Sequence, residues 1–269
     1  MTARPLEIPE LAATDRLLDA DEPAPLLVER ADGRSRLVLV ADHAGRRLPR
    51  RLGDLGLAAA DLERHIAHDI GILPVAQALA RAFEAPLIAQ TYSRLVIDCN
   101  RPLHVAQSIP ETSELTAIPG NRNLSPAARE ARIEALFRPY HGTIEALLDA
   151  RAAAGLATVL VAMHSFTPVF KGAARPWLIG LLYNRDARLA RPLIELLNQD
   201  SAPYIGDRLP YVVHDETDYT LPVHGERRGL PHVGIEIRQD LIADPYGQAA
   251  WAAWLEGILK TALDRLPDR

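Results

Sequence analysis

Short apolar runs bounded by turn residues recur along the chain, at Leu37–Ala41, Pro86–Tyr92, Leu95–Ile97, Thr158–Met163, Trp177–Leu182 and Val233–Ile237. Ala- and Leu-rich stretches with helical spacing separate them, at about 72–83, 125–153, 187–199 and 247–264. Runs that are apolar on both faces and alternate with helices predict a mostly parallel sheet covered on both sides. Residues 1–34 are rich in Pro, Ala, Asp and Glu without a sustained period, and read as an N-terminal arm with room for one short helix. No repeat, low-complexity tract or linker divides residues 35–269, which read as a single α/β domain. The segment Pro102–Leu124, with Pro110, Pro119, Gly120 and Asn121, has no clear period and reads as a long loop of the kind that covers a binding site.

In such sheets ligands bind just beyond the carboxyl ends of the strands, so the polar residues there carry the chemistry. The first run ends in Asp42-His43-Ala44-Gly45 and the fourth in His164-Ser165-Phe166. Two strand-end imidazoles from separate segments can converge on one zinc ion; each alone could equally cap its strand. Catalytic zinc usually takes a third protein ligand, and Asp69, in His65-Ile66-Ala67-His68-Asp69-Ile70-Gly71, is the candidate. Its competing role is an N-cap for the following helix, in which case Asp42 or His68 would substitute. A common ion requires the rings of His43 and His164 to lie within about 8 Å.

In Val233–Asp240, period two puts Gly234, Glu236 and Arg238 on one face. A Glu inside so apolar a run is costly unless it pairs or serves a site. Glu236 is the candidate general base, with an ion pair to Arg238 as the alternative. Asn100 and Arg101 follow the run Leu95–Ile97 and suit a substrate carboxylate, with Arg94 and Arg238 as further candidates; a salt bridge from Arg94 or Arg101 to Asp98 or a loop carboxylate is the alternative. Arg175 starts a run rather than ending one and reads as structural. His65, His104, His141, His214, His224 and His232 have no defensible strand-end position, though His224 could reach the site from its loop. There is no Gly-x-Ser-x-Gly elbow, P-loop or Gly-x-Gly-x-x-Gly, which argues against a serine hydrolase and a nucleotide cofactor.

Composition narrows this further. The 269 residues are 48% hydrophobic, enough for one large core. A net charge of −5 argues against nucleic acid as partner, while local arginines still suit a small acidic molecule. Cys99 is the single cysteine, so neither an intrachain disulfide nor a Cys-rich zinc site can form. Apolar runs of at most about eight residues and a polar first segment predict no membrane partner and a cytoplasmic protein.

Asp42-His43-Ala44-Gly45, His65 to Gly71, Ser93 to Arg101, His164 to Pro168, Arg175-Pro176-Trp177 and Glu236 to Leu241 together resemble the N-formylglutamate amidohydrolase family over about residues 37–260. That family is similar in fold to zinc carboxypeptidases and aspartoacylases. The resemblance implies a phosphorylase/hydrolase-like three-layer α/β/α sandwich around a mostly parallel mixed sheet. It also implies a metal at His43 and His164, a catalytic carboxylate at Glu236, and substrate carboxylate binding by Asn100 and Arg101. The carboxypeptidase-like relatives carry a Glu three residues after the first His; here that position is Arg46, so Asp69 is offered as third ligand. The expected activity is metal-dependent hydrolysis of the amide of a small N-acyl amino acid such as N-formylglutamate. A non-catalytic protein binding an acidic metabolite and a zinc metallopeptidase acting on a peptide terminus are the alternatives. The sequence is silent on oligomeric state.

Overall fold

The computed structural model describes residues 16–199 and 205–267. In chain order the strands are β1 (Leu26–Glu29), β2 (Leu37–Ala41), β3 (Leu87–Gln90), β4 (Thr112–Ser113), β5 (Thr116–Ala117), β6 (Val159–Phe166), β7 (Val169–Phe170), β8 (Ala173–Ala174), β9 (Ile179–Leu182), β10 (Ile205–Asp207) and β11 (His232–Arg238). The helices are α1 (Ala59–Leu62), α2 (Ile72–Ala82), α3 (Pro126–Arg132), α4 (Arg138–Ala153), α5 (Ala190–Gln199) and α6 (Pro245–Asp264). Seven strands form the central sheet in the order β1-β3-β2-β6-β11-β9-β10, while β4–β5 and β7–β8 are separate hairpins. The middle of the sheet, β3-β2-β6-β11, is parallel; β1 runs antiparallel to β3, and β9 antiparallel to β11.

Period two sorts the core. Leu37, Leu39, Val159, Val161, Met163, Val233 and Ile235 pack with residues of α2, α5 and α6. The opposite parity, Val38, Val40, Leu160 and Ala162, packs against Tyr140, Ile144 and Leu148 of α4. Helices on both faces of a mostly parallel mixed sheet match the expected class. No helix among the described residues is long and apolar enough to cross a membrane.

Four local expectations change. Leu95–Ile97 forms a turn, closed by the Val96 N–H donating to Ser93 O at 3.0 Å. Its residues are apolar because they plug two cores: Leu95 joins Leu55, Leu57, Ala67 and Ile118, whereas Val96 and Ile97 join the α4 side. The sheet begins inside the expected arm, since β1 lies at Leu26–Glu29 and Leu17 is buried in the α4-side core; residues 1–15 of that arm lie outside the described residues. The helix expected over 125–153 is interrupted by a π turn, Ile133–Phe137, just ahead of Pro139. Proline has no N–H for the ordinary helical bond, so the chain widens there. Finally, Pro102–Leu124 is not structureless: it folds into 3-10 turns and the β4–β5 hairpin. Asn121 and the buried Arg132 tie it down, the Arg132 guanidinium donating to Val96 O at 2.9 Å and to Asn121 Oδ1 at 2.7 Å.

Candidate metal centre and cleft

The site is an extension of the sheet's own alternation. On the α4-facing side, Val40, Ala162 and Gly234 are followed two residues later by Asp42, His164 and Glu236. The apolar face thus turns polar as the parallel strands end. Parallel register sets Glu236 directly beside His164 on β11 and β6. Two close backbone approaches bring in the rest. A Cβ at Gly45 would lie 2.0 Å from the Thr91 carbonyl carbon, so only glycine lets the segment after β2 lie against the one after β3. Gly71 (φ 78°) starts α2 against Ile242 O, and the Asp69 N–H donates to His43 O at 2.8 Å.

One donor atom from each of His43, Asp69 and His164 lies within 4.8 Å of the other two, and all three residues are buried. Asp69 Oδ2 is 3.0 Å from His164 Nδ1 and 3.6 Å from His43 Nδ1. Ligands at roughly 2 Å from a tetrahedral zinc ion stand about 3.3 Å apart, which this spacing matches. The ring centroids of His43 and His164 are 5.1 Å apart, inside the limit for sharing an ion. A carboxylate faces each outer nitrogen: His43 Nε2 donates to Asp98 Oδ1 at 2.7 Å, and His164 Nε2 lies 3.2 Å from Asp42 Oδ2, an ion-pair contact without an aligned hydrogen bond. A carboxylate behind an imidazole favours the proton on the facing nitrogen and turns the other nitrogen's lone pair inward. Asp69 is not a helix cap; the residue at the start of α2 is Gly71, with no side-chain cap.

Electrostatics agree with a cation-seeking cluster. Burial opposes charge on every member. Nevertheless Asp42 and Asp69 hold His164 well above the usual histidine range, and Asp98 and Asp69 raise His43 despite the nearby Arg94. Burial is likewise outweighed at Asp69 by His43 and His164, and at Asp98 by Arg94 and His43, so both carboxyls stay ionised. Glu236 moves the other way: burial, helped by the Asp69 charge, pushes its carboxyl above the ordinary range. Its Oε2 is buried without a hydrogen-bond partner. An orphaned carboxylate oxygen is costly unless water or a cation meets it, and with the His–Asp–His donor set it fits a divalent metal.

The centre opens into a cavity of about 280 Å³ lined also by Arg94, Asn100, Arg101, Tyr211 and Glu114. Arg94 grips Asp98 Oδ2 through Nε and Nη2 at 3.1 and 2.7 Å. Arg101 Nη1 donates to Thr217 O at 2.6 Å and faces Asp218 Oδ1 at 3.3 Å. The two hairpins meet over the opening, where Glu114 accepts the Lys171 N–H at 3.0 Å and pairs with Arg64 at 2.6 Å. Arg238 is not brought to the cavity. It is the last residue of β11 and is captured by Asp240, Nε to Oδ1 at 2.8 Å, so it neither pairs with Glu236 nor faces a ligand. Arg46 points outward to Glu63 with both side chains mostly exposed, leaving its place in the donor set to Asp69. Asp98, which the sequence suggests only as an arginine partner, stands behind His43, and Thr220, which no sequence feature singles out, donates its hydroxyl to Asp42 Oδ1 at 2.7 Å. Asp98 could have been found from its position between Arg94 and Arg101; nothing local marks Thr220.

The family model for N-formylglutamate amidohydrolase matches residues 35–243. A gene product of Agrobacterium tumefaciens of solved structure is 39% identical, with a TM-score of 0.89 over 93% of this chain and 98% of that one. An N-formylglutamate amidohydrolase from Ralstonia eutropha is 21% identical, with a TM-score of 0.66 over 90% of this chain and 98% of its own, and shares the fold. The curated proteins include no match. Matched over most of its length, the chain belongs to the N-formylglutamate amidohydrolase family.

Proposed function

We propose that this protein is a metal-dependent amidohydrolase that cleaves the amide of a small acidic N-acyl amino acid, N-formylglutamate being the first candidate. The observation that carries the reading is the convergence of His43, Asp69 and His164 beside a buried, unpartnered Glu236 oxygen. His43, Asp69 and His164 would hold the ion, zinc or another divalent metal. Such an ion supplies a Lewis acid that polarises the acyl oxygen and makes water more acidic.

The chain's own groups do the rest. Glu236 takes a proton from the attacking water as the new C–O bond forms at the acyl carbon. It returns that proton to the amide nitrogen as the C–N bond breaks, giving a carboxylic acid and a free amine. A carboxyl raised by burial is suited to exchange a proton near neutrality. Arg101, Arg94 and Asn100 line the cavity, where the arginines offer positive charge to the substrate's carboxylates; Arg238 has no part. The hairpins β4–β5 and β7–β8, tied through Glu114, favour a small substrate over a peptide end.

The test is hydrolysis of N-formyl, N-acetyl and N-carbamoyl amino acids, beside dipeptides, by protein of known metal content. A chelator is expected to abolish release of the amino acid and zinc to restore it. Full activity in metal-stripped protein would refute the metal's role. No turnover of any N-acyl amino acid by the loaded protein would leave the binding-protein reading.

A further inference from the structure

The carboxylates behind the two imidazoles are themselves held very differently. Asp98 accepts the Asn100 N–H at 2.9 Å and two Arg94 nitrogens at 3.1 and 2.7 Å, so its orientation does not depend on a single donor. Asp42 has one hydroxyl: Thr220 Oγ1 donates to Oδ1 at 2.7 Å while Oδ2 faces His164 Nε2 at 3.2 Å. The Tyr140 hydroxyl also stands beside Asp42, whose carboxylate, with burial, pushes its pKa up, but it forms no well-aligned hydrogen bond. Thr220 is fully buried and immediately precedes a π turn, Leu221–Glu226. Its backbone is fixed from across the sequence, because Asn100 Oδ1 accepts the N–H groups of Tyr219 at 3.2 Å and Thr220 at 3.0 Å.

From this geometry we infer that Thr220 is a positioning residue for the metal centre, acting through Asp42 on His164, and that Asn100 is the brace that presents it. The inference rests on the reading of His43, Asp69 and His164 as a cation site. A carboxylate held at one oxygen by a short hydrogen bond cannot turn freely, so its other oxygen stays aimed at the His164 ring. That favours the N–H on Nε2 and leaves the Nδ1 lone pair for the cation that Asp69 would share. Without the Thr220 hydroxyl, Asp42 is free to rotate toward the neighbouring Tyr140 hydroxyl, and the imidazole loses its alignment. Asn100 thereby has work to do even where its side-chain amide touches no substrate.

Zinc affinity of the full-length protein, measured by competition with a chromophoric chelator, tests this. Thr220→Val keeps the shape and removes the donor; its zinc affinity is expected to fall about 10- to 100-fold. Thr220→Ser restores the hydroxyl and is expected to return affinity close to the wild-type value. Tyr140→Phe serves as the control and is expected to change it little. With cobalt in place of zinc, the visible spectrum should shift in Thr220→Val and not in Thr220→Ser. Should the valine variant fail to fold, Thr220→Ala against Thr220→Ser makes the same comparison. A valine variant that retains zinc like the wild type, or a serine variant no better than valine, would overturn the inference. A wild-type protein that takes up no divalent ion would overturn the cation-site reading, and this inference with it, so the two failures are told apart.

Discussion

Two pairs of histidines lie buried in this molecule at nearly the same spacing, and they behave in opposite ways. His43 and His164 have ring centroids 5.1 Å apart; His141 and His224 have theirs 5.2 Å apart. The first pair is surrounded by Asp42, Asp69 and Asp98, which raise both imidazoles in spite of burial. The second feels the Asp42 charge only weakly against burial, and its rings' hydrogen bonds run to a backbone carbonyl and to each other. His141 Nε2 donates to Cys99 O at 2.7 Å, which leaves its Nδ1 to accept from His224 Nε2 at 3.0 Å in a chain of two neutral rings. Burial lowers His141 to about 4 and His224 to about 3. Proximity of two imidazoles therefore does not by itself make a candidate cation site; the carboxylates behind and between them distinguish the first pair. The second pair instead joins α4 to the π turn Leu221–Glu226 as a neutral structural link.

The contrast can be pressed at three points. The largest effect is expected beside the first pair: Glu236→Gln should lower kcat on N-formylglutamate by about 10²–10⁴-fold while metal content stays at the wild-type level. Wild-type turnover in that variant would remove Glu236 from the chemistry. Next, His164→Gln should lose the tightly bound ion in metal analysis after dialysis, whereas His224→Gln should keep it. Equal loss from both variants would erase the distinction between the pairs. The smallest effect concerns acid. Because the folded pKa of His141 lies below the unfolded value, the neutral pair contributes stability that is fully present above about pH 6.5. That stability is lost as pH falls toward about 4, by an amount on the order of 3 kcal/mol. Denaturant unfolding of His141→Gln between pH 6.5 and 4 should show a shallower decline than the wild type; parallel declines would count against it.

What could be read in advance followed from periodicity. Leu37–Ala41, the core of β6 and Val233–Ile237 are visible as apolar runs because parallel strands buried on both faces need no polar positions until they end. His43, His164 and Glu236 stand out for the same reason: polar side chains there break an otherwise apolar pattern. Leu95–Ile97 misleads because three buried residues look alike whether they alternate across a sheet or plug two cores from a turn. Arg238 shares parity with Glu236, but a strand's last residue is free to follow a nearby carboxylate, and Asp240 is there to take it. His141 and His224 carry no local signal at all. One lies on a helix and the other in a π turn, and only the packing of α4 beneath the sheet brings them together across 83 residues.

The in-phase pairing of β11 with β6 has a consequence for how such a protein can change. Glu236 and His164 are neighbours on one hydrogen-bonded ladder, so their separation is set by backbone and not by loop conformation. Slipping β11 by one position would present Ile235 or Ile237 to the cleft and silence it at a stroke. Lengthening or shortening the β4–β5 and β7–β8 hairpins leaves that ladder untouched. Variation in what is admitted can thus accumulate at the rim, while the reactive centre is constrained to all or nothing.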